Sequence, residues 1–176
     1  FEDKNLSVYT LPLKHGIPTC GFLFEEKPKE RHIIREKTAF YQVPLKDLPA
    51  LKAGNDWVSP SGEIVSNAQL TKPAEAPKRY AYCSDTAYYE KLIPMIESVD
   101  CLFHEATFVQ KDIARAKQNN HSTAQQAAEI AKKAQVKKLI IGHFSSRYPN
   151  PQVLLEEAKA VFANSFSARE GDEISI

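Results

Sequence analysis

Several apolar runs of strand length in this chain stop on a side chain that can ligate a metal. Residues 79–86 read Arg-Tyr-Ala-Tyr-Cys-Ser-Asp-Thr, an aromatic and small-residue run with strand composition that halts at Asp85. Residues 6–14 halt in the same way at His15, and residues 137–142, Lys-Lys-Leu-Ile-Ile-Gly, at His143. Strands of one sheet that each finish on a ligand can bring those ligands together at a common edge, however far apart they lie in sequence. An Asp between two His suits a metal site, because a carboxylate has two oxygens and can bridge two cations.

The 176 residues suffice for one domain with a real core. No apolar run approaches the length of a membrane span, and a formal net charge of +1 leaves nucleic-acid binding to a local basic patch. Cys20, Cys83 and Cys101 are odd in number and widely spaced with no Cys-x-x-Cys pair, which indicates neither a disulfide framework nor a thiolate zinc site and predicts buried free thiols. The chain begins at Phe1 with no signal or transit pattern, so a cytoplasmic protein is expected, with N-terminal sequence preceding this stretch.

Residues 6–27 predict two strands about a turn at 15–18. Residues 28–78 hold six of the eleven prolines and keep no sustained apolar period. Such an insertion is either disordered or a protruding functional arm, with Trp57 packing on its own hairpin. Residues 88–98 have helical spacing that Pro94 must open or break. Another short run, 99–103, ends on His104 and Glu105, and residues 111–119 read as a polar helix.

Ser122 and Gln125 form a Ser-x-x-Gln capping box for a helix burying Ala127, Ile130, Ala131 and Ala134. His121 would then stand at a helix N-terminus, where a phosphate can be held beside an imidazole. Asn150 and Pro151 open a last helix with a stripe at Leu154, Leu155, Ala158, Val161 and Phe162, and two short extended pieces flank Gly171. Strands, helices and hairpins in this order indicate an α/β layered domain. Each histidine taken alone is more often structural than a ligand, Asp85 can simply cap a turn, and the basic run about Arg31 and Arg35 can be solvated surface.

Four strings act together. Ser-Asp-Thr at Asp85, His-Glu-Ala-Thr-Phe from His104, His-Ser-Thr from His121 and Gly-His-Phe-Ser-Ser-Arg-Tyr from Gly142 occur in the order and spacing of ribonuclease Z. The chain resembles that metallo-β-lactamase-fold endonuclease, which matures the 3′ end of transfer RNA. Lys-His-Gly at His15 is similar to a further metal motif of the family, and residues 28–78 to its flexible tRNA-clamping arm. The resemblance implies His15 and His143 as ligands of two divalent ions, zinc being expected, with Asp85 bridging them. It further implies His121 as the group that protonates the leaving 3′ oxygen, oriented by Glu105 and with His104 behind them. Arg147, Arg31 and Arg35 become candidate RNA contacts.

The family's His-x-His-x-Asp-His motif is absent, so the chain resembles the C-terminal half of an αββα sandwich, a mixed sheet flanked by helices with an arm inserted. Alone it is expected to hold one metal or none and to be inactive. In the arm, Lys46-Asp47 stands where the family has Gly-Pro. The expected partners are precursor tRNA and a second copy of the protein, with no membrane. The alternatives are a hydrolase of small phosphodiesters on the same fold and a non-catalytic dimerisation or RNA-binding fragment.

Overall fold

The computed structural model describes residues 1–176, which divide into two compact units: residues 1–26 with 78–176, and residues 27–77. The first unit starts with the expected hairpin, β1 (Leu6–Pro12) paired antiparallel to β2 (Cys20–Glu26) from Leu6↔Glu26 to Pro12↔Cys20. His15 lies in the turn between them.

Residues 27–77 are folded. Strand β3 (His32–Ile33), helices α1 (Arg35–Phe40) and α2 (Leu48–Lys52), hairpin β4 (Trp57–Val58) and β5 (Ile64–Val65), helix α3 (Asn67–Leu70) and strand β6 (Thr71–Lys72) follow in order, with β3 paired to β6. They surround a small core of Leu51, Trp57, Val65 and Leu70. The Trp57 indole N–H donates to Asp47 Oδ2 at 2.9 Å, which anchors the unit's one tryptophan. Asn67 is buried but satisfied: its amide donates to the carbonyls of Leu51 and Asn55, both at 2.8 Å, and its Oδ1 accepts from Thr71. Pro49 falls at the start of α2, where a missing N–H costs nothing.

The chain re-enters the first unit through β7 (Arg79–Cys83) and β8 (Cys101–Glu105), then α4 (Ile113–Asn119), α5 (Ala124–Lys133), β9 (Leu139–Gly142), α6 (Gln152–Val161) and β10 (Ser165–Ser167). The sheet order is β1-β2-β7-β8-β9-β10, antiparallel through β7 and parallel from β7 to β10. It is the mixed sheet expected. One face is the core, where Leu11, Leu23, Ala81, Leu102, Leu139 and Ile141 pack with Ile130 of α5 and Leu154 of α6. The other carries an in-register row of Phe22, Tyr82, Phe103, Ile140 and Phe166. Tyr82 and Phe103 stack there at 4.9 Å, while Phe22 and Tyr82 stay 37% exposed and Phe166 46%.

Four local expectations shift. Pro94 sits inside a short 3-10 helix, Glu90–Met95, because it removes the donor an α-helix would need. The capping box uses Thr123 and Gln126, one residue later than expected. Cys20 is exposed, whereas Cys83 and Cys101 are buried, and burial pushes their thiols up to about 12 and about 11. Of the pieces flanking Gly171 only the first is a strand, β10. No helix is long and apolar enough to cross a membrane.

Candidate metal and catalytic site

The ligand-type residues meet at one edge of the sheet. Asp85 lies two residues past β7, Glu105 ends β8 and His143 directly follows β9, so three parallel neighbours deliver them to the same end. The start of antiparallel β2 reaches that end too, which brings in the turn holding His15. Two bonds pin this turn to the loop after Asp85: Lys14 N–H donates to Thr86 Oγ1 at 3.0 Å, and Ala87 N–H to the Lys14 carbonyl at 2.7 Å. His121 arrives from the link between α4 and α5. Asn120, in the left-handed region at φ 57°, ends α4 there, a position Asn tolerates well.

His143 also has positive φ, 59°, which costs a non-glycine residue about 1–3 kcal/mol and is held by its surroundings. Gly142 before it has no room for a side chain, since a Cβ would stand 2.8 Å from the Phe103 ring.

The hydrogen bonds set the donor chemistry. His15 Nδ1 lies 2.9 Å from the Asn120 carbonyl, which can only accept, so Nδ1 carries the proton and Nε2 keeps its lone pair. His121 Nδ1 lies 2.7 Å from Glu105 Oε1, which orients that ring in the same sense. Glu105 is fully buried, and its oxygens also accept from Thr86 N–H at 3.0 Å, Thr107 N–H at 3.0 Å and the Thr107 hydroxyl at 2.8 Å. The His121 ring stands 5.0 Å from that of His15 and 5.3 Å from that of His143.

Two groups of side chains have ligand atoms within 4.8 Å of one another: His15, Asp85 and His121, and Glu105, His121 and His143. Glu105 is committed to its four donors, which leaves it an orienting carboxylate. Asp85 is different: its carboxylate accepts no hydrogen bond from the chain and stands 3.4 Å from His143 Nε2. A free carboxylate flanked by imidazole nitrogens is a donor set that accepts zinc and other divalent first-row ions. The site thus fits a metal on its own chemistry.

The other sequence candidates divide. His104 is fully buried in the strand core, its Nδ1 donating to the Glu105 carbonyl at 2.7 Å and its Nε2 without a partner; desolvation holds its pKa below the usual value. It supports the backbone of β8 and does not reach Asp85 or His143. Arg147 is exposed, in the loop after His143. In the other unit, Arg31 and Arg35 line one open depression with His32 and Lys52, and Arg31 Nε donates to Thr71 Oγ1 at 2.7 Å.

At the N-terminus of α5, where a phosphate was expected beside His121, several N–H groups are already used within the chain. Ala124 N–H donates to the Phe108 carbonyl, Gln126 N–H to Thr123 Oγ1, and Thr123 N–H to Gln126 Oε1. Sequence reasoning held Thr86, Thr107 and Lys14 only within the strings of the resemblance, with no role of their own, and passed over Lys117. The two lysines line a cavity of about 230 Å³ with Ala87, Tyr88, Ile113, His121 and Gln126. Their advance signals were that Lys14 belongs to the Lys-His-Gly string at His15 and that Lys117 lies four residues before His121.

Comparison with known proteins gives one family context. Residues 70–144 match the model of the beta-lactamase superfamily domain. A Parabacteroides distasonis protein named Ribonuclease Z is 58% identical over 99% of this chain, and a Bacteroides fragilis protein of the same name is 49% identical over 100% of it. The chain spans 58% of the length of each. Among solved structures, the metallo-β-lactamase fold protein YhfI from Bacillus subtilis superposes with a TM-score of 0.60 at 16% identity, over 95% of this chain and 48% of that one. Human tRNase Z, short form, gives 0.58 at 21% identity, over 100% of this chain and 45% of that one. Over its whole length the chain is similar to rather more than half of proteins named Ribonuclease Z, and its fold is that of solved metallo-β-lactamase-fold proteins.

Proposed function

We propose that this chain supplies the acid, part of the metal site and the RNA-binding arm of a metal-dependent endonuclease that removes the 3′ trailer of precursor tRNA and leaves a 3′-OH. The observation that carries this reading is the His121–Glu105 pair, 2.7 Å apart, placed ring to ring with His15 and His143, with the Asp85 carboxylate 3.4 Å from His143 Nε2. His15, Asp85 and His143 would hold divalent ions, zinc being the natural choice for this donor set. Such ions supply positive charge at a scissile phosphate and lower the pKa of a water.

The chain's own groups do the rest. His121 acts with protons on both ring nitrogens: it gives the Nε2 proton to the leaving 3′ oxygen, while Glu105 accepts from Nδ1–H and keeps the ring aimed, and the neutral ring left behind regains its Nε2 proton from solvent before the next turnover. Lys14 and Lys117, in the cavity beside His121, neutralise the flanking backbone phosphates. Arg147 contacts RNA near the site, and Arg31 and Arg35 do so from residues 28–78, the arm. The half-exposed row of Phe22, Tyr82 and Phe166 is the surface that the part of the relatives not matched here covers, completing an αββα sandwich. The whole protein acts as a homodimer in the cytoplasm.

The test is to fuse this chain to the segment of the Parabacteroides distasonis relative that it does not match, add zinc, and supply a precursor tRNA with a 3′ trailer. The fusion is expected to release a tRNA ending in a 3′-OH, with activity lost to a chelator and in Asp85→Ala and His143→Ala. A folded fusion that neither cuts nor binds the precursor, under conditions where the relative does both, would overturn the reading.

A further inference from the structure

We propose that Thr107 is a positioning residue that sets the proton arrangement of both histidines flanking Asp85, joining the acid His121 to the ligand His143 through one carboxylate. The inference rests on the site reading above. Thr107 lies just past β8, and Ala106 N–H donating to the Gly142 carbonyl at 2.8 Å and Ser145 N–H to the Thr107 carbonyl at 3.1 Å hold it beside the end of β9. Its hydroxyl oxygen is 2.8 Å from Glu105 Oε2, 2.8 Å from His143 Nδ1 and 3.3 Å from His121 Nδ1.

A hydroxyl has one proton and two lone pairs, so these contacts can be satisfied in only one sense. Each Glu105 oxygen already accepts a backbone N–H, and the carboxylate is an acceptor. The hydroxyl proton therefore goes to Oε2, and a lone pair of Oγ1 accepts Nδ1–H of His143. That fixes His143 as the tautomer whose Nε2 carries a lone pair, the atom 3.4 Å from Asp85. The His121 Nδ1 proton goes to the nearer Glu105 Oε1 at 2.7 Å, leaving its Nε2 facing the opposite way from the carboxylate. One buried carboxylate thus orders two imidazoles, directly in one case and through a hydroxyl in the other. This is the pattern by which outer hydrogen bonds orient metal-binding histidines.

The direct test is the tautomer of His143 in this chain, read from long-range proton–nitrogen correlations of ¹⁵N-histidine-labelled protein at about pH 8.5, roughly two units above the ordinary histidine pKa. The unaltered chain is expected to show His143 and His121 each protonated at Nδ1. Thr107→Val should lose the single Nδ1–H form of His143 while keeping that of His121, and Thr107→Ser should restore it. Zinc affinity of the fusion should fall about 10- to 100-fold in Thr107→Val and recover in Thr107→Ser. Should Thr107→Val fail to fold, the unaltered chain decides: His143 protonated at Nε2 would overturn the proposal. So would a folded Thr107→Val chain with the parent's tautomers and unchanged zinc affinity. Neither reading involves RNA cleavage, so an inactive fusion with the expected tautomers would count against the endonuclease reading alone.

Discussion

Replacing Glu105 with Gln probes the buried carboxylate that organises the site. Glu105 accepts from four donors, Thr86 N–H and His121 Nδ1 on one oxygen, Thr107 N–H and the Thr107 hydroxyl on the other. A glutamine has the same shape but one acceptor oxygen and one NH2 group. Whichever way it is turned, the NH2 confronts a backbone N–H and a second donor. The hydroxyl or imidazole can turn to accept instead, so one backbone N–H is left stranded, at a cost of about 1–3 kcal/mol. That is a large part of the stability of an ordinary domain. Urea unfolding followed by circular dichroism measures the loss, and Glu90→Gln, at an exposed ion pair with Lys133, is the control expected to change little. A Glu105→Gln midpoint equal to that of Glu90→Gln would refute the network as drawn.

Gly142→Ala places a methyl 2.8 Å from the Phe103 ring, which is itself stacked on Tyr82, and should destabilise the chain by about 1–3 kcal/mol in the same assay. Lys14→Ala and Lys117→Ala should each weaken precursor tRNA binding by the fusion and reduce the slope of log affinity against log salt by about 0.7, as measured by filter binding across a salt series. His104 has its pKa lowered by burial, so the unfolded chain binds its proton first as the pH falls. The stability it supports is intact above the unfolded value near 6.5 and is lost progressively as the pH falls below it. His104→Leu should remove that part of the acid sensitivity of unfolding.

The site was legible where strands delivered it. Asp85, His143 and His15 each end or follow a short run whose composition is that of a strand, and such runs are local signals. What the runs could not say was which oxygen or nitrogen faces which, because that depends on contacts such as Lys14 to Thr86 across 72 residues. The capping box slipped by one residue for a similar reason. Ser122 and Thr123 are both hydroxyls with Gln three residues on, and the choice is made by Ser122 donating to the Thr86 carbonyl at 2.7 Å, which leaves Thr123 to cap.

Residues 27–77 showed no period because their helices and strands are two to six residues long and none adds more than two side chains to the small core. Trp57 was read against its hairpin and is also tied to Asp47, ten residues earlier. Thr107 stood in the His-Glu-Ala-Thr-Phe string, but nothing in the sequence gave it a role of its own. Its place between two histidines arises from the pairing of β8 with β9.

The most direct test of the account concerns the proton His121 is held to deliver. In the fusion, His121→Ala should slow cleavage of an ordinary precursor tRNA strongly. A precursor whose scissile 3′ oxygen is replaced by sulfur leaves as a thiolate, which needs far less help from an acid. The account predicts that this substrate restores cleavage by His121→Ala towards the level of the unaltered fusion and does nothing for Asp85→Ala. Equal slowing of both substrates by His121→Ala would contradict it.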